Sequence, residues 1–317
     1  MRILIIGAAG MLGRKLSERV ARDGSLGMHP ISGLVRADVA GGEDSVVADL
    51  TDPGAAAELI ALRPDVIVDL AAVVSGEAES DFEKGYRVNL DATRHLLEAI
   101  RLAGTDYCPR LVFSSSIAVF GPPMPEVIAD DHPTTPATSY GTQKAIVELL
   151  LADYTRRRLV DGIAIRLPTI CVRPGAPNLA ASGFFSNIIR EPLHGRPAVL
   201  PVSPEVRHWF ASPRAAVSFL IHAATIDTSA LGLHRTLTMP GLSATVGEEI
   251  EALRRVAGDD AVALIRPEPD DTIARIVDGW PRAFDARRAS ELGFAAERDF
   301  DEIVRVYVED ELGGVVA

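Results

Sequence analysis

The sequence predicts an α/β fold: a doubly wound parallel sheet followed by a smaller C-terminal α/β lobe. Three observations predict it. Short β-branched runs alternate with longer amphipathic stretches through the first half of the chain. Those runs are mostly apolar, as strands covered on both faces are. A glycine-rich turn joins the first run to the first amphipathic stretch.

Taken in order, residues 2–6 (RILII) read as a buried strand, followed by the turn and a helix over 11–23. Residues 34–38 and 46–47 read as short strands, 55–62 as a helix, 66–70 as a strand and 86–103 as a helix. A strand over 111–114, a long helix over 139–158 and a strand over 163–166 complete the alternation. Past Pro168 the character changes. Proline and glycine become frequent from 173 to 204, with a short helical piece at 184–189. A helix over 215–224 is expected to return to the first domain, before a strand at 237–239 and helices at 246–256 and 300–311. The expected division is 1–168, with 206–230 returning to it, against 169–205 plus 231–317.

Composition narrows the function. A chain of 317 residues buries a sizeable core without staples. Its 32 basic and 44 acidic side chains give a net charge of −12, which argues against a nucleic-acid or anionic-membrane surface. Cys108 and Cys171 are the only cysteines; two make neither a disulfide framework nor a metal cluster and suit a reducing compartment. The sequence holds no apolar run of the roughly 20 residues that a span needs. With no signal-peptide layout at the N-terminus, a cytoplasmic protein is expected. Only Lys15, Lys84 and Lys144 are lysines, against 29 arginines, so a lysine in a chemically suggestive place carries weight.

Gly7, Gly10 and Gly13 stand in GAAGMLG, directly after the first strand and opening the first helix with Met11 and Leu12. Such a turn lets the backbone approach a pyrophosphate closely, while the helix N-terminus offers free N–H groups and its dipole. A glycine triplet also serves purely steric turns. Its place in an alternating α/β pattern favours a dinucleotide, and residues 1–168 then read as a Rossmann-type NAD-binding domain with the remainder as the substrate-binding lobe. Asp38, closing the second strand, suits the two adenine-ribose hydroxyls and repels a 2′-phosphate, which favours NAD over NADP. Arg36, on the same side of the strand, leaves two other readings open: an ion pair with Asp38, or a phosphate contact. Asp49 suits the adenine amino group or an ordinary surface position.

Tyr140 and Lys144 are four residues apart on a helix, so they share a face. A free tyrosine, with a pKa near 10, is a poor base at neutral pH. A neighbouring ammonium and an oxidised nicotinamide favour phenolate, and the same lysine can hold the nicotinamide ribose. Ser114, Ser115 and Ser116 end the strand over 111–114, where a hydroxyl can donate to a developing alkoxide. Ser116 is the expected catalytic serine, and the other two are cofactor-contacting or structural. Turn capping is the competing role for this run. Ser, Tyr and Lys together suit hydride-transfer chemistry.

GAAGMLG, Asp38, Asp-Leu at 49–50, Asp-Leu-Ala-Ala at 69–72, Val-Asn at 88–89, SSSIAVFG at 114–121, YGTQK at 140–144 and Leu-Gly-Phe at 292–294 resemble the extended short-chain dehydrogenase/reductase family over nearly the whole chain. The resemblance implies that Leu50 accompanies Asp49 at the cofactor and that Asn89 stabilises the strand beside the active site. It also implies that Ala71, Pro168 and Ile170 line the nicotinamide side. A homodimer or higher homo-oligomer is implied, through the helix at 145–151 and the one around Leu96. The usual histidine before Leu-Ala-Ala is Asp69 here, and the usual tyrosine of Val-Tyr-Gly is Phe120. Both positions are expected to lie off the proton path. RHWFASPR, beginning at Arg207, departs from the family's usual segment and argues against copying sugar-nucleotide specificity.

Longer stretches, VVSGEAESDFEKGYRVNLD, RLPTICVRPGAPNLAASGFFSNIIREPL and MPGLSATVGEEIEALRRVAG, resemble one subgroup of that family, the D-erythronate dehydrogenases. That resemblance implies NAD-dependent oxidation of the C2 hydroxyl of a small sugar acid. A small hydroxy acid needs one carboxylate anchor, for which Arg173 and Arg207 are the candidates, either also suiting an interlobe salt bridge. Ser75 is placed to touch substrate or ribose, and His208 with Trp209 read as pocket wall or as a buried structural pair. Two alternatives stand beside this reading: a sugar-nucleotide epimerase or dehydratase with tightly held NAD, and a non-catalytic NAD-sensing regulator.

Overall fold

The computed structural model describes residues 1–42, 45–175 and 181–315; residues 176–180, inside the proline- and glycine-rich stretch, lie outside the described residues. The chain divides into two units. Residues 1–119, 138–167 and 217–238 make the first, and 120–137, 168–216 and 239–317 the second.

The first unit runs β1 (Arg2–Ile6), α1 (Met11–Asp23), β2 (Gly33–Asp38), β3 (Val46–Val47), α2 (Pro53–Ala61), β4 (Val66–Asp69), α3 (Ser75–Ser80), α4 (Ala92–Leu102), β5 (Arg110–Ser116), α5 (Ser139–Arg156), β6 (Asp161–Leu167) and β7 (Thr236–Thr238). The seven strands pair in parallel in the order β3-β2-β1-β4-β5-β6-β7. The order reverses between β1 and β4. That switch point opens a crevice beyond the carboxyl ends of the strands, where α/β sheets bind ligands. The doubly wound parallel sheet expected from the sequence is thus present.

Strand periodicity explains how the sheet is covered. Leu4, Ile6, Ile67, Leu111, Phe113 and Ala164 share one face with Ala56 and Leu59 of α2, Leu96 and Ile100 of α4, and Val147 and Leu151 of α5. Ile3, Ile5, Val68, Val112, Ile163 and Ile165 point the other way and are equally buried, which is why these strands carry no polar alternation. Each such side chain contributes about 1.5–3 kcal/mol by leaving water. Helix α2 starts two residues earlier than expected because Asp52 accepts from Gly54 N (2.8 Å) with Pro53 in the first helical position. The helix expected over 86–103 is interrupted by a widened turn at Arg87–Asp91, after which α4 begins.

The second unit has its own core, in which Phe184, Phe185, Ile188 and Ile189 meet Phe210, Ala252, Leu253, Ile303 and Val304. Its three-stranded sheet sets Arg207–Ala211 between Thr169–Ile170, parallel, and Leu242–Thr245, antiparallel. A capping box follows: Glu248 N donates to Thr245 Oγ1 (3.1 Å) and Thr245 N to Glu248 Oε2 (2.6 Å), starting the helix Val246–Ala257.

The boundaries differ from the sequence expectation in four places, the smallest being Pro168, which falls in the second unit. Residues 120–137 belong to the second unit because Ile128–Ala129 pairs with Phe284–Asp285. Residues 206–216 belong there because 207–211 is its central strand. Residues 231–238 belong to the first unit, since β7 pairs with Ala164–Arg166 of β6.

Candidate active site

The glycine turn is built as the three glycines require. Gly7 has φ +80°, and a Cβ on it would come within 2.8 Å of Ala71 N and Leu70 C, so β1 can turn only by passing close over the chain that leaves β4. A Cβ on Gly13 would lie 2.2 Å from Gly7 O and 2.7 Å from Ala8 Cα; α1 packs directly on the turn there. Gly10 is different. It is exposed, and a Cβ there would meet only Gly7 O at 3.2 Å.

Gly10 also stands at the N-cap of α1 without a side-chain cap, and the first amide to close onto it is Arg14 N (2.9 Å to Gly10 O). The leading amides of the helix at Met11, Leu12 and Gly13 therefore face an open cradle carrying the positive end of the helix dipole. A dinucleotide phosphate fits this donor set. Asp38, at the end of β2, has each carboxylate oxygen held by one amide, Oδ2 by Ala9 N and Oδ1 by Ala40 N, both at 2.9 Å. The carboxylate is thereby fixed at the turn with lone pairs left for ribose hydroxyls. Arg36 and Asp38 form no ion pair among the described residues.

Other residues assigned to the cofactor take more structural places. Asp49 Oδ1 accepts from Thr51 N (2.9 Å) in a local turn, and Leu50 is buried in the core, with its carbonyl facing His95 Nδ1 at 3.0 Å. Asn89 is buried; Oδ1 accepts from Val73 N (2.9 Å), and Nδ2 donates to Val73 O (3.2 Å) and Gln143 Oε1 (2.8 Å). It thus fixes the segment leaving β4, between Ala71 at the turn and Ser75 at the start of α3. Ser114 donates to Asp69 O (2.9 Å), a tie between adjacent strands.

Strand β5 and helix α5 carry the three residues that the sequence assigns to the reaction. Thr138 caps α5 by accepting from Gly141 N (3.1 Å), which puts Tyr140 in the first turn and Lys144 one turn on. Ser116 ends β5, and its Oγ accepts from Ala118 N (3.1 Å), so it caps the following turn. Ser116 also acts on the Tyr140 phenol in the sense that favours phenolate. The turn-capping reading of this serine is the one its hydrogen bond shows.

Lys144 is 1 % exposed. Its Nζ sits 4.6 Å from the centroid of the Phe113 ring and 5.7 Å from that of Tyr140, cation–π contacts worth about 0.5–2 kcal/mol. Burial brings the lysine down to about 8, while the carboxylates of Asp69 and Glu148 work the other way. For Tyr140 the outcome differs from the sequence expectation of a phenol made acidic by its lysine. In the protein alone, burial pushes Tyr140 up to about 12, with the neighbouring Ser116 working the other way.

A buried polar layer beneath this set was not legible in the sequence. Glu148, one turn beyond Lys144, accepts from Ser115 Oγ (2.5 Å) and takes Arg166 in a two-bond pair at 3.0 and 2.7 Å. The signal available was the i, i+4 ladder Tyr140–Lys144–Glu148. Asp69, expected off the proton path, is buried and acts electrostatically on Lys144.

The remaining assigned residues lie in the second unit. Pro168 is buried, and Ile170 pairs with Ala211. Arg173 donates to Ser182 Oγ (2.9 Å) and has no carboxylate partner among the described residues. Arg207 lies nearer the surface, 3.4 Å from Glu248 Oε2, and donates to Ser243 O (3.0 Å). His208 is a structural residue. Since the Pro281 carbonyl can only accept (2.9 Å), Nδ1 carries the proton and Nε2 accepts from Thr169 Oγ1 (2.7 Å). Its ring stacks on Phe185 at 5.3 Å. Trp209, also buried, donates to Met239 O (3.2 Å).

Comparison with known proteins agrees with this geometry. Residues 3–212 match the family model described as NAD dependent epimerase/dehydratase family. The chain belongs to that family. The family's cofactor is NAD, and the glycine turn, the uncapped helix and Asp38 are the parts of this member that suit it. Two relatives named D-erythronate dehydrogenase align along nearly their whole length. One, from Cupriavidus necator, is 47 % identical over 98 % of both chains. The other, from Haemophilus influenzae, is 41 % identical over 98 % of this chain and all of its own. A solved family structure titled nucleoside-diphosphate-sugar epimerase, from Agrobacterium tumefaciens, superposes with a TM-score of 0.97 at 61 % identity, covering all of this chain and 96 % of that one. No helix among the described residues is long and apolar enough to cross a membrane.

Proposed function

We propose that the chain is an NAD-dependent dehydrogenase that oxidises the C2 hydroxyl of a small sugar acid, D-erythronate, to the 2-keto acid. The observation that carries this reading is the joining of Ser116, Tyr140 and buried Lys144 at the end of β5, in a chain that aligns end to end with two D-erythronate dehydrogenases.

The turn from Gly7 to Gly13, with the amides of Met11 and Leu12, would hold the dinucleotide phosphates, and Asp38 the adenine ribose; Asp49, Leu50, Ala71, Asn89, Pro168 and Ile170 would complete its surroundings. When bound, NAD supplies the hydride acceptor. Ser116 then donates a hydrogen bond to the substrate oxygen, Tyr140 as phenolate takes the hydroxyl proton, and Lys144 holds that phenolate by its charge. Since Tyr140 alone stands at about 12, this role needs positive charge at the phenol, which Lys144 and the oxidised nicotinamide would provide.

Arg173 is the assigned carboxylate anchor, supported by its lack of a carboxylate partner among the described residues where Arg207 has Glu248; Ser75 is assigned to the substrate hydroxyls. The assembly is assigned as a homodimer or higher homo-oligomer, a reading supported by Leu149, which stands 73 % exposed on α5 among several apolar neighbours, and the compartment assigned to it is the cytoplasm. Sedimentation of the purified chain measures the assembly.

The test is NADH absorbance with purified protein, NAD and a panel of C3 to C6 sugar acids. Turnover with D-erythronate is expected. Silence with every acid, together with turnover of a UDP- or TDP-sugar without net NADH, would replace this reading by an epimerase. Cofactor binding without any turnover would leave a sensor.

A further inference from the structure

We propose that Asp69 is a positioning residue for Lys144, supplying the buried counter-charge that keeps its ammonium in place beneath Tyr140. The inference rests on the proposed function for what Lys144 does, and extends it to a residue that the family pattern fills differently.

Asp69 ends β4 and is 1 % exposed. Its carboxylate is fixed from two sides: Oδ2 accepts from Thr93 Oγ1 of α4 (2.9 Å) and Oδ1 from Ala71 N (3.3 Å). The Thr93 bond turns the side chain toward the face of the sheet covered by α4 and α5. In the parallel register of β4 and β5 its partner is Phe113, the ring over which Lys144 Nζ lies at 4.6 Å. Strand, ring and lysine thus stand side by side on one face.

The charged groups facing Lys144 are few. Among the described residues the charges that act on it are Glu148 from its own helix and Asp69 from β4; Tyr140 is neutral, and Arg166 of β6 reaches Glu148. Glu148 is already matched by Arg166 in two hydrogen bonds and by Ser115. Asp69 is therefore the carboxylate whose charge is left for the lysine. Burial works against both partners, raising the Asp69 carboxyl above its ordinary range and bringing Lys144 down, and each opposes that effect in the other. Without the carboxylate, Lys144 faces burial with Glu148 as its remaining help, and it gives up its proton at lower pH.

The test uses the purified protein labelled with ¹³Cε-lysine. The chain has three lysines, so three signals titrate, and Lys144→Arg assigns one of them. In the native protein the Lys144 signal is expected to turn over near pH 8. In Asp69→Asn, which keeps the shape and the Thr93 contact, the midpoint should fall by about one pH unit or more, with Lys15 and Lys84 unmoved. The alkaline limb of kcat should move down by the same amount, whereas simple damage to packing lowers kcat at every pH. Thr93→Val, which loosens the carboxylate without removing it, should move the midpoint in the same direction by less. An unchanged Lys144 midpoint in Asp69→Asn, or in Thr93→Val should Asp69→Asn not fold, overturns the proposal. A shifted midpoint in a protein that oxidises no sugar acid would leave the Asp69 assignment standing and remove the proposed reaction.

Discussion

Two alanine substitutions in the glycine turn separate what the turn needs for folding from what it needs for a ligand. At Gly13 an added Cβ would lie 2.2 Å from Gly7 O, 2.7 Å from Ala8 Cα and 2.9 Å from Ala8 C. All three are backbone atoms, so the strain is relieved only by lifting α1 off the turn. Overpacking of this kind costs about 1–3 kcal/mol, or a fall in Tm of about 2–10 °C for a domain of this size. At Gly10 the Cβ meets Gly7 O alone, at 3.2 Å, and the backbone sits at φ −67° and ψ 166°, which alanine adopts freely. Gly10→Ala should therefore fold with Tm within about 2 °C of the parent, a change of under about 0.5 kcal/mol. Its methyl projects from the exposed side of the turn, into the space a pyrophosphate would approach. NAD affinity, read by NADH fluorescence titration, should fall about tenfold or more, corresponding to about 1.4 kcal/mol. Differential scanning calorimetry gives the stability half. If Gly10→Ala bound NADH as the parent does, the phosphate would not seat on this turn. If Gly13→Ala melted with the parent, the helix would not be packed as closely as the structure has it.

Three further outcomes are expected. Tyr140→Phe should lower kcat for the sugar acid by about 10²–10⁴-fold with NADH affinity within about twofold; an active variant would take the proton transfer away from Tyr140. Arg173→Ala should raise KM for the acid by about 10–100-fold, the worth of a charge-assisted pair, while Arg207→Ala changes it little; the reverse order would move the anchor to Arg207. His208, held neutral by burial with its value down at about 4, makes the fold acid-sensitive: the unfolded chain takes up a proton near 6.5 and the native state does not, so stability is present above 6.5 and is lost as pH falls from there to about 4. The loss is about 3 kcal/mol, and Tm measured from pH 7 to 4.5 should fall less steeply in His208→Gln than in the parent.

The features that sequence reasoning located are local ones. GAAGMLG sits where a strand gives way to a helix, and Tyr140 and Lys144 are one helical turn apart; both patterns fit within a dozen residues. The polar layer under the site is made by partners far apart in the chain. Asp69 meets Thr93 across 24 residues, Ser115 meets Glu148 across 33, and Arg166 meets Glu148 across 18. No periodicity records such pairs. The second unit was harder for a different reason. Its sheet is assembled from Thr169–Ile170, Arg207–Ala211 and Leu242–Thr245, pieces too short to show an alternation. Thr236–Thr238 is three residues long, and only pairing with β6 reveals that it closes the larger sheet.

The rarity of lysine in this chain bears on why one occupies position 144. Among 32 basic residues 29 are arginine, and Arg166, on β6, shows what arginine does in this interior: its planar fork donates two hydrogen bonds to one carboxylate. Such a group could not do the work at 144. A guanidinium is permanently charged and has five donors to satisfy, whereas the space beside Tyr140 offers the face of Phe113 and a carboxylate already held by Thr93 and Ala71. An ammonium is a compact charge that rests on a ring face and can be tuned by burial and neighbours, as its value near 8 shows. It therefore sits within reach of neutral pH, with Asp69 and Glu148 both favouring its charged form. On this account the aspartate in place of the usual histidine and the lysine beneath the tyrosine are one electrostatic unit, in which the end of β4 helps to hold the charge on Lys144.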